Sequence, residues 1–298
     1  MPRARSLSVR KSQAKAARWL LTPALLLFAA FSVVPVILTF LLSFTSYDVL
    51  TPPRWVGAAN YADIARDPTF IASIWHTIYY TVGVVPITLV LALLLAVALN
   101  AQLRGIVFFR TLYYTPVVTS VVAASMIWMW LYNPQFGLLN FFLSKIGVSP
   151  QQWLASPTQA MPCLIVMTIW KELGYCMIIY LAGLQGIPAT LYEAAEIDGA
   201  GWWPSLRNVT LPMLRPVTLF LLVTSVISSF QVFDAIYVMT KGGPVGATTT
   251  VVHQIYENGF RFLRMGRASA MAVVLFLMIM SVSLANLRVF KRDFEGMT

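Results

Sequence analysis

Three ionisable residues stand inside apolar runs of the chain: Lys171, Glu172 and Asp234. A charge at the centre of a bilayer costs at least about 2.5–3.5 kcal/mol on insertion scales, so such residues face other helices or water. Lys171 shares a helical face with Thr168 and Tyr175 through three- and four-residue spacings. Thr224, Ser228, Gln231 and Asp234 follow at spacings of four, three and three, a polar stripe on an otherwise apolar helix. Two such stripes predict a shared aqueous cavity. The alternative is structural, with Lys171 paired to Asp234 or Glu172 and the hydroxyls bonded between helices. Aromatic residues crowd the same stretches: Trp170, Tyr175, Phe230, Phe233 and Tyr237. Sugar rings pack their C–H faces on aromatic rings while their hydroxyls take hydrogen bonds from side chains. The expected path residues are therefore Trp170, Lys171, Tyr175, Ser228, Gln231, Phe233 and Asp234, a set suited to a polyol. Trp128, Trp130 and Tyr132 read instead as an interfacial belt at a helix end.

No bond-making chemistry is legible. The chain lacks a G-x-x-x-x-G-K-[ST] phosphate loop, so it does not bind and split ATP itself. His76 and His253 lie on different segments without a metal-binding pattern around them, and no metal site is expected. Cys163 and Cys176 are thirteen residues apart in one apolar run. That is about 20 Å along a helix, too far for a disulfide.

The elements that must position these residues are apolar helices. The chain is 58% hydrophobic and 11% charged, against about 25% charged in a soluble domain, and its mean hydropathy is +0.74. Six apolar runs, at about 19–44, 73–99, 106–131, 158–184, 213–239 and 268–290, each exceed the roughly 20 residues that a spanning helix needs. The fold class is an all-α membrane protein with six transmembrane helices, residues 19–298, behind a basic tail, residues 1–18. The first run is too long for the apolar region of a signal peptide, about 7–15 residues, and reads as an uncleaved span bent at Pro23 and Pro35.

The polar stretch 186–212 is not a floppy loop. Pro188 is placed to start a helix, Leu191 to Asp198 holds helix formers, and Gly199 and Gly201 can end it in left-handed conformations. A second short segment, Trp202 to Asn208, follows. Two short helices at a membrane surface make a knob, and a knob implies a socket on another protein. Outside the opposite end, Gly242-Gly243-Pro244 forms a turn, and Thr248 to Phe262 is expected to form a short surface helix.

Glu193-Ala194-Ala195, three residues, Gly199, nine residues, then Val209-Thr210-Leu211-Pro212 resembles the EAA loop of bacterial ABC-importer permeases, with Val209 where the pattern usually has Ile. The resemblance extends to Asp234 and to Thr240-Lys241-Gly242-Gly243-Pro244, and is greatest to the sugar and glycerol-3-phosphate branch of the maltose-importer type. It implies a type I ABC importer permease fold working by alternating access in a bacterial cytoplasmic (inner) membrane. Glu193, Ala194, Ala195, Asp198, Gly199, Leu211 and Pro212 would couple it to an ATPase. The implied partners are a second homologous permease chain, an ATPase dimer that carries the ATP and magnesium, and an extracytoplasmic solute-binding protein. The implied solute is a carbohydrate or a glycerol phosphate compound, with no cofactor bound by this chain. Asp234, shared by permeases of different solutes, reads as structural on this ground. The rivals are an ion-coupled secondary transporter, which needs internal repeats and broken helices in both halves, and an integral membrane enzyme, which needs clustered catalytic side chains.

Loop charge gives an orientation. The net charge of +10, which in a soluble protein suggests nucleic acid, is explained better by position. With the N-terminus inside, thirteen Lys and Arg fall in inner segments against seven in outer ones. Basic residues accumulate on the cytoplasmic side, so both termini and Glu193 are expected inside, and Asn60, Gln151 and Glu257 outside. Single-cysteine labelling in intact cells, with Cys163 and Cys176 removed, tests this: an impermeant reagent should label positions 60 and 257 and spare 193. Labelling at 193 would reverse the orientation.

Overall fold

The computed structural model describes residues 19–100 and 105–295. The basic tail, residues 1–18, and Arg104 lie outside the described residues, as do the side chains of Lys291 and Arg292. Backbone polar groups in lipid must be satisfied within the segment, and every long element is accordingly helical. Among the described residues five helices are long and apolar enough to cross a membrane, and one bent pair makes a sixth run.

The chain divides into two compact units. The first holds residues 19–64 and 258–273. Its leading helix, α1 (Trp19–Leu42), buries none of its apolar window. The bend expected at Pro35 takes the form of π-helical turns over Ala29–Val33, with Pro35 in the first regular turn after them. Proline lacks an N–H and its ring displaces a carbonyl, and the wider turn accommodates both. A two-residue hairpin, β1 (Thr45–Ser46) with β2 (Arg54–Trp55), follows, then α2 (Ala59–Ile64). Asn60 Nδ2 donates to the carbonyls of Ser43 and Thr45 at 2.8 and 2.9 Å, and the Ser43 and Tyr61 hydroxyls are 2.7 Å apart. Arg267, expected on a solvated face, pairs with Asp63 at 2.9 Å.

The second unit holds residues 65–257 and 274–295. Its axis is α3 (Pro68–Ala98), which starts five residues before the expected span because Asp67 caps it, accepting from Thr69 N at 2.8 Å. The third apolar run is not one straight span. It is α4 (Ile106–Val118) and α5 (Val121–Leu131), bent by 100° at Thr119 and Ser120, whose backbones are extended. The connection 133–157 contains α6 (Leu138–Lys145). The fourth span is α7 (Ala160–Gln185), which packs along α3. Two short helical stretches follow, α8 (Ala189–Ile197) and α9 (Trp202–Ser205). The fifth span is also interrupted, as α10 (Arg215–Phe230) and α11 (Asp234–Met239) with Gln231, Val232 and Phe233 between them. The expected surface helix begins at α12 (Val251–Tyr256) and runs on as π-helical turns over Glu257–Arg261. The last helix, α13 (Met265–Glu295), belongs to both units.

The core of this second unit gathers Tyr80, Val84, Ala124, Met161, Leu164, Met167 and Ile236 from α3, α5, α7 and α11. Cys163 and Cys176 are both buried and free. Two backbones come into close approach where α4 crosses α7. A Cβ on Gly174 would overlap the Tyr113 carbonyl oxygen and stand 2.9 Å from Tyr114 Cα. Backbone cannot yield as a flexible side chain can, and overpacking of this kind costs about 1–3 kcal/mol. Gly174→Ala should therefore lower the thermal stability of the purified complex by that order. Gly186→Ala should not, because its nearest atom would be an ordinary 3.4 Å away. Equal melting of the two variants would mean that this crossing is looser than described.

Candidate functional site: a polar cavity and an exposed helical knob

The break between α4 and α5 strips hydrogen bonds from the last carbonyls of α4. In a bilayer those carbonyls need partners, and Lys171 supplies them. Its Nζ donates to the carbonyls of Thr119, Pro116 and Val117 at 2.9, 3.3 and 3.4 Å. The side chain is 8% exposed. An ammonium has three donors, and three carbonyls take them at the negative end of a helix dipole. Among the described residues no carboxylate pairs with Lys171, so the alternative in which it pairs with Asp234 or Glu172 does not form, and backbone carbonyls take that place.

Beside it lies a cavity of about 480 Å³. Lys171, Tyr175, Ser228, Gln231, Phe233 and Asp234 all line it, with Glu172, Thr168 and Thr224. The two polar stripes do face one space. Gln231 and Phe233 owe their positions to the break between α10 and α11. Trp170 does not line the cavity; its ring meets Trp128 at 5.6 Å, edge to face. Phe233 carries the cavity wall into a group of three rings, with centroids 5.2 Å from Tyr237 and 5.0 Å from Tyr256.

Sequence reasoning missed the contribution of α3. Tyr80 lines the cavity and donates to Thr168 Oγ1 at 2.8 Å. Thr88 also lines it, and its buried hydroxyl has no protein partner. The signal was present in Ser73, Thr77, Thr81 and Thr88, polar positions recurring at helical spacing in an apolar run. His76, expected near an interface, donates from Nδ1 to the Thr249 carbonyl at 3.0 Å. The turn at Gly242-Gly243-Pro244 is pinned by Thr248, whose hydroxyl donates to the Gly243 carbonyl and lies near that of Thr240, both at 2.7 Å.

The polar stretch 186–212 is helical over most of its length. Pro188 is the N-cap residue of α8, not its first helical one. Gly199 ends α8 with φ +74°. Its N–H bonds the Glu196 carbonyl at 2.9 Å, and the Ala200 N–H bonds the Ala195 carbonyl at 2.8 Å. This pair of bonds is a Schellman motif, which requires a left-handed residue at the position of Gly199. Gly201, expected to be left-handed, is extended, at φ −74° and ψ −176°, and begins α9. π-helical turns over Leu206–Thr210 continue from α9. The Tyr192 and Thr210 hydroxyls meet at 3.0 Å, tying the two limbs together. Glu193, Ala194, Glu196, Asp198 and Leu211 are exposed, and Ile197 at the tip is 86% exposed. Glu196 is thus no more exposed in kind than Glu193.

Removing the Lys171 ammonium takes its donors from the Thr119 and Val117 carbonyls, at about 1–3 kcal/mol for each acceptor that stays dry. The Pro116 carbonyl still accepts from the Thr119 hydroxyl at 2.6 Å. Lys171→Met should destabilise the complex in detergent far more than Thr168→Val. Equal stability of the two variants would show that the break does not depend on the ammonium.

Residues 64–292 match the family model described as binding-protein-dependent transport system inner membrane component. A trehalose/maltose transport system permease protein of Thermococcus litoralis is 34% identical over 284 residues, covering 94% of this chain and 96% of the relative. An sn-glycerol-3-phosphate transport system permease protein of Yersinia pestis is 35% identical over 240 residues, covering 80% and 81%. A solved chain from a bacterial ABC transporter involved in the import of the acidic polysaccharide alginate superposes with a TM-score of 0.83 at 26% identity, covering 95% of this chain and 99% of that one. The chain belongs to the binding-protein-dependent transport system inner membrane component family, the multi-pass permease subunits of ABC transporters.

Proposed function

We propose that this permease passes a neutral, hydroxyl-rich solute of the carbohydrate class across the cytoplasmic (inner) membrane, with both termini and residues 186–212 on the cytoplasmic side. The observation that carries the solute class is the commitment of Lys171 to three backbone carbonyls. A phosphate buried in the path needs a cationic partner with free donors. The cavity offers instead two carboxyl groups, Glu172 and Asp234, with the hydroxyls of Thr88 and Ser228, the Gln231 amide and the Phe233 ring. That set suits sugar hydroxyls and ring faces. The relatives named for trehalose/maltose and for sn-glycerol-3-phosphate leave both classes in view, and the cavity favours the first. The test is uptake into vesicles holding the complete importer. Neutral oligosaccharides should be transported and should compete with one another, while glycerophosphodiesters should not compete. Uptake of anionic solutes alone would overturn the assignment.

The same proposal gives residues 186–212 the coupling role. A separate ATPase dimer, a second permease and a solute-binding protein complete the machine, and this subunit hydrolyses nothing. Glu193, Ala194, Ala195, Asp198 and Gly199 would dock α8 in the ATPase, with Leu211 and Pro212 carrying the motion into α10. The exposed apolar tip at Ile197 and the fixed Schellman end support this. Gly199→Val puts a β-branched residue at positive φ, a conformation it resists strongly. Both Glu193→Ala and Gly199→Val should cut uptake by about tenfold or more, the consequence of losing 1.4 kcal/mol or more of coupling, with membrane insertion retained. Normal uptake in Gly199→Val with the ATPase still bound would remove this loop from the coupling role.

A further inference from the structure

Two arginines that neither the cavity nor the coupling helix uses stand together on another surface. Arg207, on the π-helical turns after α9, and Arg215, at the start of α10, line a second cavity of about 500 Å³. Leu89, Val90 and Leu93 of α3 form its apolar wall, and Thr218 adds a hydroxyl. Among the described residues no carboxylate pairs with either guanidinium. Two like charges facing one hollow repel each other, and an anion between them would relieve that repulsion.

The surroundings say what kind of anion fits. From Leu93 the apolar wall continues along α3 into a smaller hollow of about 230 Å³ lined by Leu94, Val97, Ala98, Trp202 and Leu206. Val90 and Leu94 are exposed apolar residues of a membrane-spanning helix, at 56% and 55%. Trp202 and Trp203, 65% and 62% exposed, stand with ring centroids 5.9 Å apart. Exposed tryptophans mark the level of lipid headgroups, and basic hollows between membrane helices hold acidic headgroups.

We propose that Arg207 and Arg215 bind the phosphate of an acidic phospholipid whose acyl chains lie along Val90, Leu94 and Val97. Guanidinium groups grip phosphate through paired N–H donors, which ammonium groups cannot reproduce. The apolar strip selects a lipid over free phosphate. The site would seat the joint between residues 186–212 and the α10 span against the membrane, independently of which solute is carried.

The experiment is native mass spectrometry of the complete importer purified from membranes, then titrated with phosphatidylglycerol or phosphatidylethanolamine. Wild type should retain phosphatidylglycerol selectively. R207Q/R215Q should retain it about tenfold less or worse, and R207K/R215K should fall between. Equal retention in wild type and R207Q/R215Q overturns the proposal. Loss of the ATPase from R207Q/R215Q with lipid retention unchanged also overturns it, because the arginines would then pair with carboxylates of that subunit. Should R207Q/R215Q fail to assemble, the wild-type titration decides alone, and absence of any preference for phosphatidylglycerol refutes the site.

Discussion

The ammonium of Lys171 and the carbonyls of Thr119, Pro116 and Val117 answer two bilayer problems with one contact. A helix broken by 100° leaves carbonyls that lipid cannot satisfy. A lone cation inside a span costs several kcal/mol, about as much as those orphaned carbonyls do. Neither feature is tolerable alone, and together they offset each other. The break lets α4 lean on α7 at Gly174 and turns α5 into the core around Tyr80 and Met167. It leaves beside Lys171 a space lined by hydroxyls, an amide and carboxyl groups.

A similar economy governs the cytoplasmic knob in the proposed orientation. Residues 186–212 carry no buried apolar core of their own, and only Thr210 in that stretch is deeply buried. Order comes from backbone geometry. The Schellman bonds at Gly199 fix the end of α8, and the Tyr192–Thr210 contact fixes its angle to the returning limb. The proposed coupling role would need such internal stiffness, because a loop that bends absorbs the displacement it receives. Arg110 shows the same logic at another helix end, donating to the Leu99 carbonyl at 2.7 Å. Cations in this chain are placed repeatedly where helices run out of donors.

Much of this was legible in the sequence, for reasons of periodicity. The spans follow from apolar length, and the stripes through Thr168, Lys171 and Tyr175 and through Thr224 to Asp234 follow from helical spacing. Those stripes meet in one cavity. What could not be read was where the helices break. Pro116 is one of several prolines in apolar runs, and Pro86 sits inside α3 without interrupting it. Only tertiary partners distinguish them, since a break survives where a Lys171 lies opposite. For the same reason the carbonyl partners of Lys171 were not foreseen, because backbone carbonyls have no letter in the sequence. Trp170 was misplaced because an aromatic beside a polar stripe is equally at home against a second aromatic, here Trp128.

The most direct test is a cryo-electron microscopy structure of the complete importer trapped with solute in the membrane path. The Lys171 ammonium should remain within hydrogen-bond distance of the Thr119, Pro116 and Val117 carbonyls, with solute hydroxyls on Gln231, Ser228 or the carboxyl groups. A structure in which Lys171 has left those carbonyls to grip the solute would contradict the account.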